Sequence, residues 1–376
     1  MNAVAIPKTN IHVDLIYVLF LPLIFIGKLV RFTIMKEVLV DEGVGHAVLR
    51  HVLEGRIMLE EGPGHVLRAI VRFFGLFGFQ SYIQQEVLFT IFWNLLVFFM
   101  LLKMNKYLSF MQASFLVCSI MVLNLFSFTL SKEPVQMLYF VLIYIILINS
   151  NISEKTKFLL IIGVIIFASM TFRRYYFLIA YFMVIARIIF TFVAKKKMNA
   201  AAVTILILIS AGVAYFISLR VAQVVSPDDY AELLRVRTTP RGTATTTIDP
   251  TIEGDSHLML SINYVFVMVR MLFPLELIPL GVKYFPYIFF QLLITLIFIK
   301  NFAGFKENPP TVNLAMIVYF AFVCCSATFE PDFGSWVRHE SVVFPVFLIM
   351  TEIKPAASIQ YPAKEVYTHD TCAACL

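Results

Sequence analysis

Charge is scarce in this sequence: Asp, Glu, Lys and Arg make up 14% of its 376 residues, where a soluble globule carries about a quarter. Cysteine is scarce as well, with five in all. Cys118, Cys324 and Cys325 lie in apolar stretches and Cys372 and Cys375 close to the end, which excludes a disulfide framework. Ala373 stands where a prenylation box needs its cysteine. The net charge is a modest +6 with no long basic run, which argues against nucleic acid as a partner. His46, His51 and His65 lack metal-ligand spacing, so neither a metal nor a cofactor is expected. No internal repeat is visible. No small-residue cleavage site follows the apolar run Val13–Ile34, so it reads as a span rather than a cleaved signal.

What abounds is apolar surface. Hydrophobic residues are 60% of the chain, 38 of them Phe, and the mean hydropathy is +0.85. Such a chain needs lipid as its solvent, and inside lipid the backbone must satisfy its own hydrogen bonds. The apolar runs do not alternate as barrel strands would. The expectation is an all-α polytopic membrane protein of about ten spans: 12–35, 86–102, 107–130, 134–149, 157–172, 175–194, 199–219, 275–299, 311–328 and 341–353. Segment 258–273, interrupted by Arg270 and Pro274, reads as an interfacial or re-entrant helix, and would be an eleventh span if it crossed. Residues 1–353 form one membrane domain with two longer loops, about 36–85 and 220–257. Residues 354–376 read as a disordered cytoplasmic tail.

With the N-terminus in the cytoplasm, Lys-rich segments face inward: 103–106, 149–157, 195–197, 300–310 and the tail. The outer face then receives Ser131-Lys132-Glu133, Arg173-Arg174, both long loops and Glu330–His339, whose cations are nearly all Arg. Arginine binds phosphate through a rigid fork of donors. One topology thus collects charged segments from distant parts of the chain on one face, which is how a site between helices is built.

Ser131-Lys132-Glu133-Pro134 doubles as a helix start and an anion site. Phe172-Arg173-Arg174-Tyr175-Tyr176 reads either as interfacial anchors or as a phosphate clamp. The stretch Phe329 to Glu340 packs acids, Arg338 and His339 among Phe329, Phe333 and Trp336, enough for a general base, a clamp and a proton relay. Trp336 is placed to stack on a sugar face.

These three segments resemble bacterial polysaccharide polymerases of the Wzy type, which act in O-antigen, capsule and exopolysaccharide assembly. The resemblance implies a multi-pass protein of the bacterial cytoplasmic membrane that acts on undecaprenyl-pyrophosphate-linked glycan at the outer face. A growing chain is transferred from its carrier to a new unit, with flippase and chain-length regulator proteins as partners. On this reading Glu330 or His339 accepts the proton of the attacking hydroxyl, and Asp332 and Glu133 take part in catalysis or orient the arginines. Arg173, Arg174, Arg338 and Lys132 meet the pyrophosphate, while Arg237, with Arg235 and Arg241, guides the glycan.

Three other readings stay open. One is a multispanning glycosyltransferase that adds single sugars from a polyprenyl-phosphate donor, with Asp41-Glu42 as its acids. Another is a lipid-linked sugar transporter, for which Lys28, Arg187 and Arg270 are the main charges inside spans. The last is a non-catalytic scaffold.

Overall fold

A computed structural model describes residues 10–33, 72–79, 82–102, 107–129, 131, 133–195, 246–249, 251–252, 256–330 and 332–352, with scattered positions between 205 and 219. The protein is helical. In chain order the helices are α1 (Val13–Thr33), α2 (Tyr82–Leu101), α3 (Phe110–Val122), α4 (Glu133–Ile148), α5 (Glu154–Thr171), α6 (Phe177–Lys195) and α7 (His257–Leu272). Then follow α8 (Phe285–Ala303), α9 (Pro310–Phe329), α10 (Phe333–Ser341) and α11 (Phe344–Met350). The only sheet among the described residues pairs β1 (Asn10–His12) with β2 (Tyr107–Ser109), antiparallel, with Ile11 opposite Leu108.

Five helical segments are long and apolar enough to cross a membrane: Val13–Thr33, Gln84–Leu101, Phe110–Ser127, Val282–Ala303 and Pro310–Phe329. Three shorter apolar helices, Glu133–Ile148, Phe177–Phe192 and His257–Leu272, accompany them. The described residues therefore fall well short of ten or eleven spans. Helix α5 carries Glu154, Lys155 and Lys157 in its first turn. Most of 199–219 lies outside the described residues. The run expected at 341–353 is a seven-residue helix, Phe344–Met350, set after a break.

Helix α9 is the core. It is apolar on every side, as a helix enclosed by others must be, and nearly all of its residues are buried. It lies against α6, α7, α8 and α11. Many helices around it keep one face outward, with Val18, Leu21, Ile91, Phe99, Ile188 and Leu296 among the exposed large side chains. Exposed apolar residues on this scale are what a lipid-facing surface requires.

Tertiary bonds sort the helix ends. The β1–β2 pair joins the start of α1 to the start of α3. Gln112 of α3 donates to the Thr351 carbonyl at 2.8 Å, and Asn301 of α8 to the Met350 carbonyl at 2.6 Å. The start of α3 and the ends of α8 and α11 therefore share one end of the bundle. At the opposite end Thr247 pairs with Asp332, and the Tyr287 and Phe333 rings meet at 6.5 Å. The chain thus leaves residue 247 and begins α8 at the same end, with α7 in between. So the stretch from residue 247 through α7 to the start of α8 begins and ends at one end of the bundle. The last carbonyl of α7, on Leu272, accepts from Thr295, ten residues into α8 or about 15 Å along it.

Between α10 and α11 the helix is interrupted at Val342 and Val343. Pro345 has no N–H with which to bond the Ser341 carbonyl. The Arg338 carbonyl, near the break, instead accepts from the hydroxyls of Ser127 and Ser341 at 3.2 and 3.3 Å. Ser127 belongs to a π-helical turn, Leu123–Ser127, that ends α3, a feature concentrated at functional sites.

Three charges inside helices, Lys28, Arg187 and Arg270, are paired. Lys28 lies 3.8 Å from Glu86 and also donates to the Phe128 carbonyl. Arg187 is 3.5 Å from Glu154 and sits over the Phe158 ring. Arg270 makes a two-pronged contact with Glu276, at 2.8 and 2.6 Å.

Candidate active site

Four ionisable side chains from four segments meet at the end of the bundle away from β1 and β2. Glu133 opens α4, Arg173 follows α5, Glu330 closes α9, and His339 lies in α10. All four side chains are less than a tenth exposed. Buried charges persist only where they are paired, and each of these lies within ion-pair distance of another.

His339 Nδ1 lies 2.6 Å from Glu330 Oε1, and His339 Nε2 lies 2.8 Å from Arg173 Nη2. A guanidinium has only donors. Nε2 must therefore accept, which places the ring proton on Nδ1, where it is donated to Glu330. The result is an imidazole oriented by a carboxylate, with its free lone pair held by an arginine. Arg173 Nη1 is 3.6 Å from Glu330 Oε1 and also bonds the Tyr175 hydroxyl. Glu133 Oε1 closes the ring, 3.9 Å from Arg173 Nη2 and 3.5 Å from His339 Nε2.

The chain between α5 and α6 turns Arg173 inward. Residues Arg174–Tyr176 form one 3-10 turn, and the Tyr175 ring stacks on Phe329 at 4.5 Å. Tyr175 donates weakly to Glu330 Oε1 at 3.4 Å. Arg173 is thus no snorkelling interfacial anchor. Burial alone would push the Glu330 carboxyl up, but His339, Arg173 and Arg338 outweigh it and hold the group below its ordinary value. Burial disfavours the Arg173 charge too, and Tyr175, Tyr176 and Glu330 more than offset this. Burial, and then Glu330, keep the Tyr175 phenol protonated.

Arg338, half-buried, completes the group. Its Nη2 reaches Ser335 Oγ at 3.4 Å, while its buried Nε has no hydrogen-bond partner. No carboxylate lies within ion-pair distance of it among the described residues. The Tyr176 hydroxyl and both ends of the Gln136 amide are also buried without partners among the described residues, and Gln136 is one turn on from Glu133 on the same helix face. Buried polar groups normally find partners, and these lack them among the described residues.

The chain matches no family model, no curated protein and no solved structure. The resemblance to Wzy-type polymerases thus has no family-level support. What stands is a helical protein with several apolar helices of membrane-spanning length and a buried cluster of charged and aromatic side chains.

The other expected site residues fall differently. Asp332 caps α10: its carboxylate accepts from the Ser335 N–H at 2.7 Å and hydroxyl at 3.0 Å, a bond of the strong N-cap kind, and the same Ser335 hydroxyl, 3.4 Å from Arg338 Nη2, links it to that arginine. Trp336 is fully buried, stacked against Phe322 at 5.8 Å, with its indole N–H on Gln291 at 2.9 Å. It offers no face to a sugar. Arg174 sits in the 3-10 turn. Lys132, Arg235, Arg237, Arg241, Asp41, Glu42 and the histidines 46, 51 and 65 lie outside the described residues. Tyr175, Tyr176, Gln136 and Ser127 were not singled out as site residues in the sequence. The aromatic pair after Arg173 was the only signal there, and it reads equally well as a membrane belt.

Proposed function

We propose that this protein is a membrane-embedded glycosyltransferase of the polysaccharide-polymerase kind. It would join undecaprenyl-pyrophosphate-linked repeat units at the outer face of the cytoplasmic membrane. The observation that carries the reading is the Glu330–His339–Arg173 chain, in which a carboxylate-oriented imidazole is held by a guanidinium suited to phosphate. On this reading this end of the bundle faces outward.

The step follows from the parts. Arg173 leaves His339 for the pyrophosphate of the donor, which frees Nε2. The acceptor hydroxyl oxygen attacks the anomeric carbon of the donor chain while the bond to the pyrophosphate oxygen breaks. The hydroxyl proton passes to His339 Nε2, and the bonding pair leaves with the pyrophosphate. Glu330 stabilises the imidazolium as it forms. Glu133 and Glu330 balance Arg173 and Arg338, so the described cluster at rest has no surplus positive charge. Proton uptake by His339 supplies one as leaving-group charge develops, and electrostatic stabilisation timed in this way is worth most in a dry site. Arg174 and Lys132, adjacent in the chain to Arg173 and Glu133, would add more.

A lipid-linked sugar transporter is the second reading, favoured by the broken helix α10–α11, a feature of transporter sites. One experiment separates these readings: analysis of lipid-linked glycan in source cells lacking the protein. The polymerase reading predicts that polymer disappears and complete single repeat units accumulate on the outer face. Complete units on the inner face would indicate transport. Units lacking one sugar would indicate the single-sugar transferase. Polymer of unchanged length would overturn all three.

A further inference from the structure

Glu340 follows His339 in α10 but points elsewhere, about 100° round the helix. It has no exposed surface. Its Oε1 accepts from the Tyr319 hydroxyl of α9 at 2.7 Å. Its Oε2 is buried without a hydrogen-bond partner. The nearby cations are committed elsewhere: Arg173 and His339 pair with Glu133 and Glu330, and no cation pairs with Glu340 among the described residues.

None of the groups that face Glu340 among the described residues is a cation. From α9 comes Tyr319. From α8 come Gln291, whose Nε2 lies 3.4 Å from the Tyr319 hydroxyl, and Tyr287, whose buried hydroxyl has no partner. Asp332, at the N-cap of α10, and Glu340 both act electrostatically on Tyr287. Trp336 closes the network by donating to Gln291. An ionised carboxylate here would be desolvated with no cation beside it among the described residues and only the hydrogen bonds of Tyr319 and Gln291 to offset its charge, a state that buried groups escape by neutralising.

We propose that Glu340 is a proton-binding site in the core of the bundle, occupied at neutral pH, with Tyr319, Gln291 and Tyr287 as its shell. The acid proton sits on Oε2, the oxygen without a hydrogen-bond partner among the described residues. The site lies just before the break at Val342 and Val343. Losing the proton would place a bare charge beside the interruption and draw water or a cation into it. This inference is independent of the glycosyltransferase reading, because a carboxylic acid is detected without any substrate.

The test is infrared spectroscopy of the full-length protein in lipid bilayers. The expected result is a protonated-carboxyl C=O band at neutral pH that shifts in D2O, disappears in Glu340→Gln, and is lost from the wild type as the pH is raised well above neutral. Glu340→Asp should keep a band at a shifted position, and this variant decides the matter if Glu340→Gln fails to fold. No such band in the wild type, or a band that neither substitution alters, would overturn the proposal.

Discussion

Replacing Arg173 with alanine is expected to abolish polymer formation and to lower the stability of the protein by about 3–5 kcal/mol, the usual cost of leaving a buried ion-pair partner without its counter-charge. Arg173 stands between two buried carboxylates, Glu133 and Glu330, and bonds His339 and Tyr175 besides. Removing it leaves two negative charges in a protein interior. Thermal unfolding in detergent reads the stability, and gel analysis of surface glycan reads the activity. Arg173→Lys separates the two effects. It restores a charge but not the fork that holds His339 and Glu330 together. Stability should largely return, while activity stays at least about tenfold down. Full activity in Arg173→Lys would show that only a point charge is needed there.

His339→Gln is the second large effect, and it should leave the fold intact. A glutamine amide can donate to Glu330 and accept from Arg173, so the buried bonds at 2.6 and 2.8 Å keep their polarity. It cannot take up a proton. General-base catalysis contributes about 10²–10⁴ in rate, and a loss of that size is expected at an unchanged membrane level of the protein. The measurement is the rate of polymer growth after induction of the variant in cells lacking the wild type. Growth at the normal rate would exclude His339 as the proton acceptor. The carboxylates would then remain, and Glu330, held ionised by its neighbours, would be the first to examine.

The membrane class was legible from composition, because so little charge and so much phenylalanine leave no other solvent. The meeting of Arg173 with Glu133, Glu330 and His339 was legible only through an assumed topology, and their contacts could not be read from the chain. Segment 330–340 was the hardest to read. Its density of charge suggests a loop, yet Phe333, Trp336, Val337 and Glu340 repeat at helical spacing, and they form the buried face of α10. One acid in that face disguised the period. Trp336 looked available to a sugar for the same reason, whereas its neighbours Phe322 and Gln291 come from α9 and α8 and could not be foreseen locally. The break before α11 was signalled by Pro345, but an apolar run around a proline also reads as an ordinary span. The bounds of the spans failed where tertiary burial replaces lipid. The run expected at 341–353 is divided by the break, leaving the seven residues of α11, all of them buried.

The central claim is that the guanidinium groups beside His339 receive a pyrophosphate leaving group. Its most direct test is binding of undecaprenyl pyrophosphate to the purified full-length protein in lipid, measured against undecaprenol, which has the same chain and no phosphate. The account predicts that the pyrophosphate lipid binds at least about tenfold more tightly, as charge-assisted bonds of about 1.5–3 kcal/mol each require. It also predicts that this preference falls in Arg338→Ala and in Arg173→Lys. Equal affinity for the two lipids, or a preference that survives both substitutions, would contradict it.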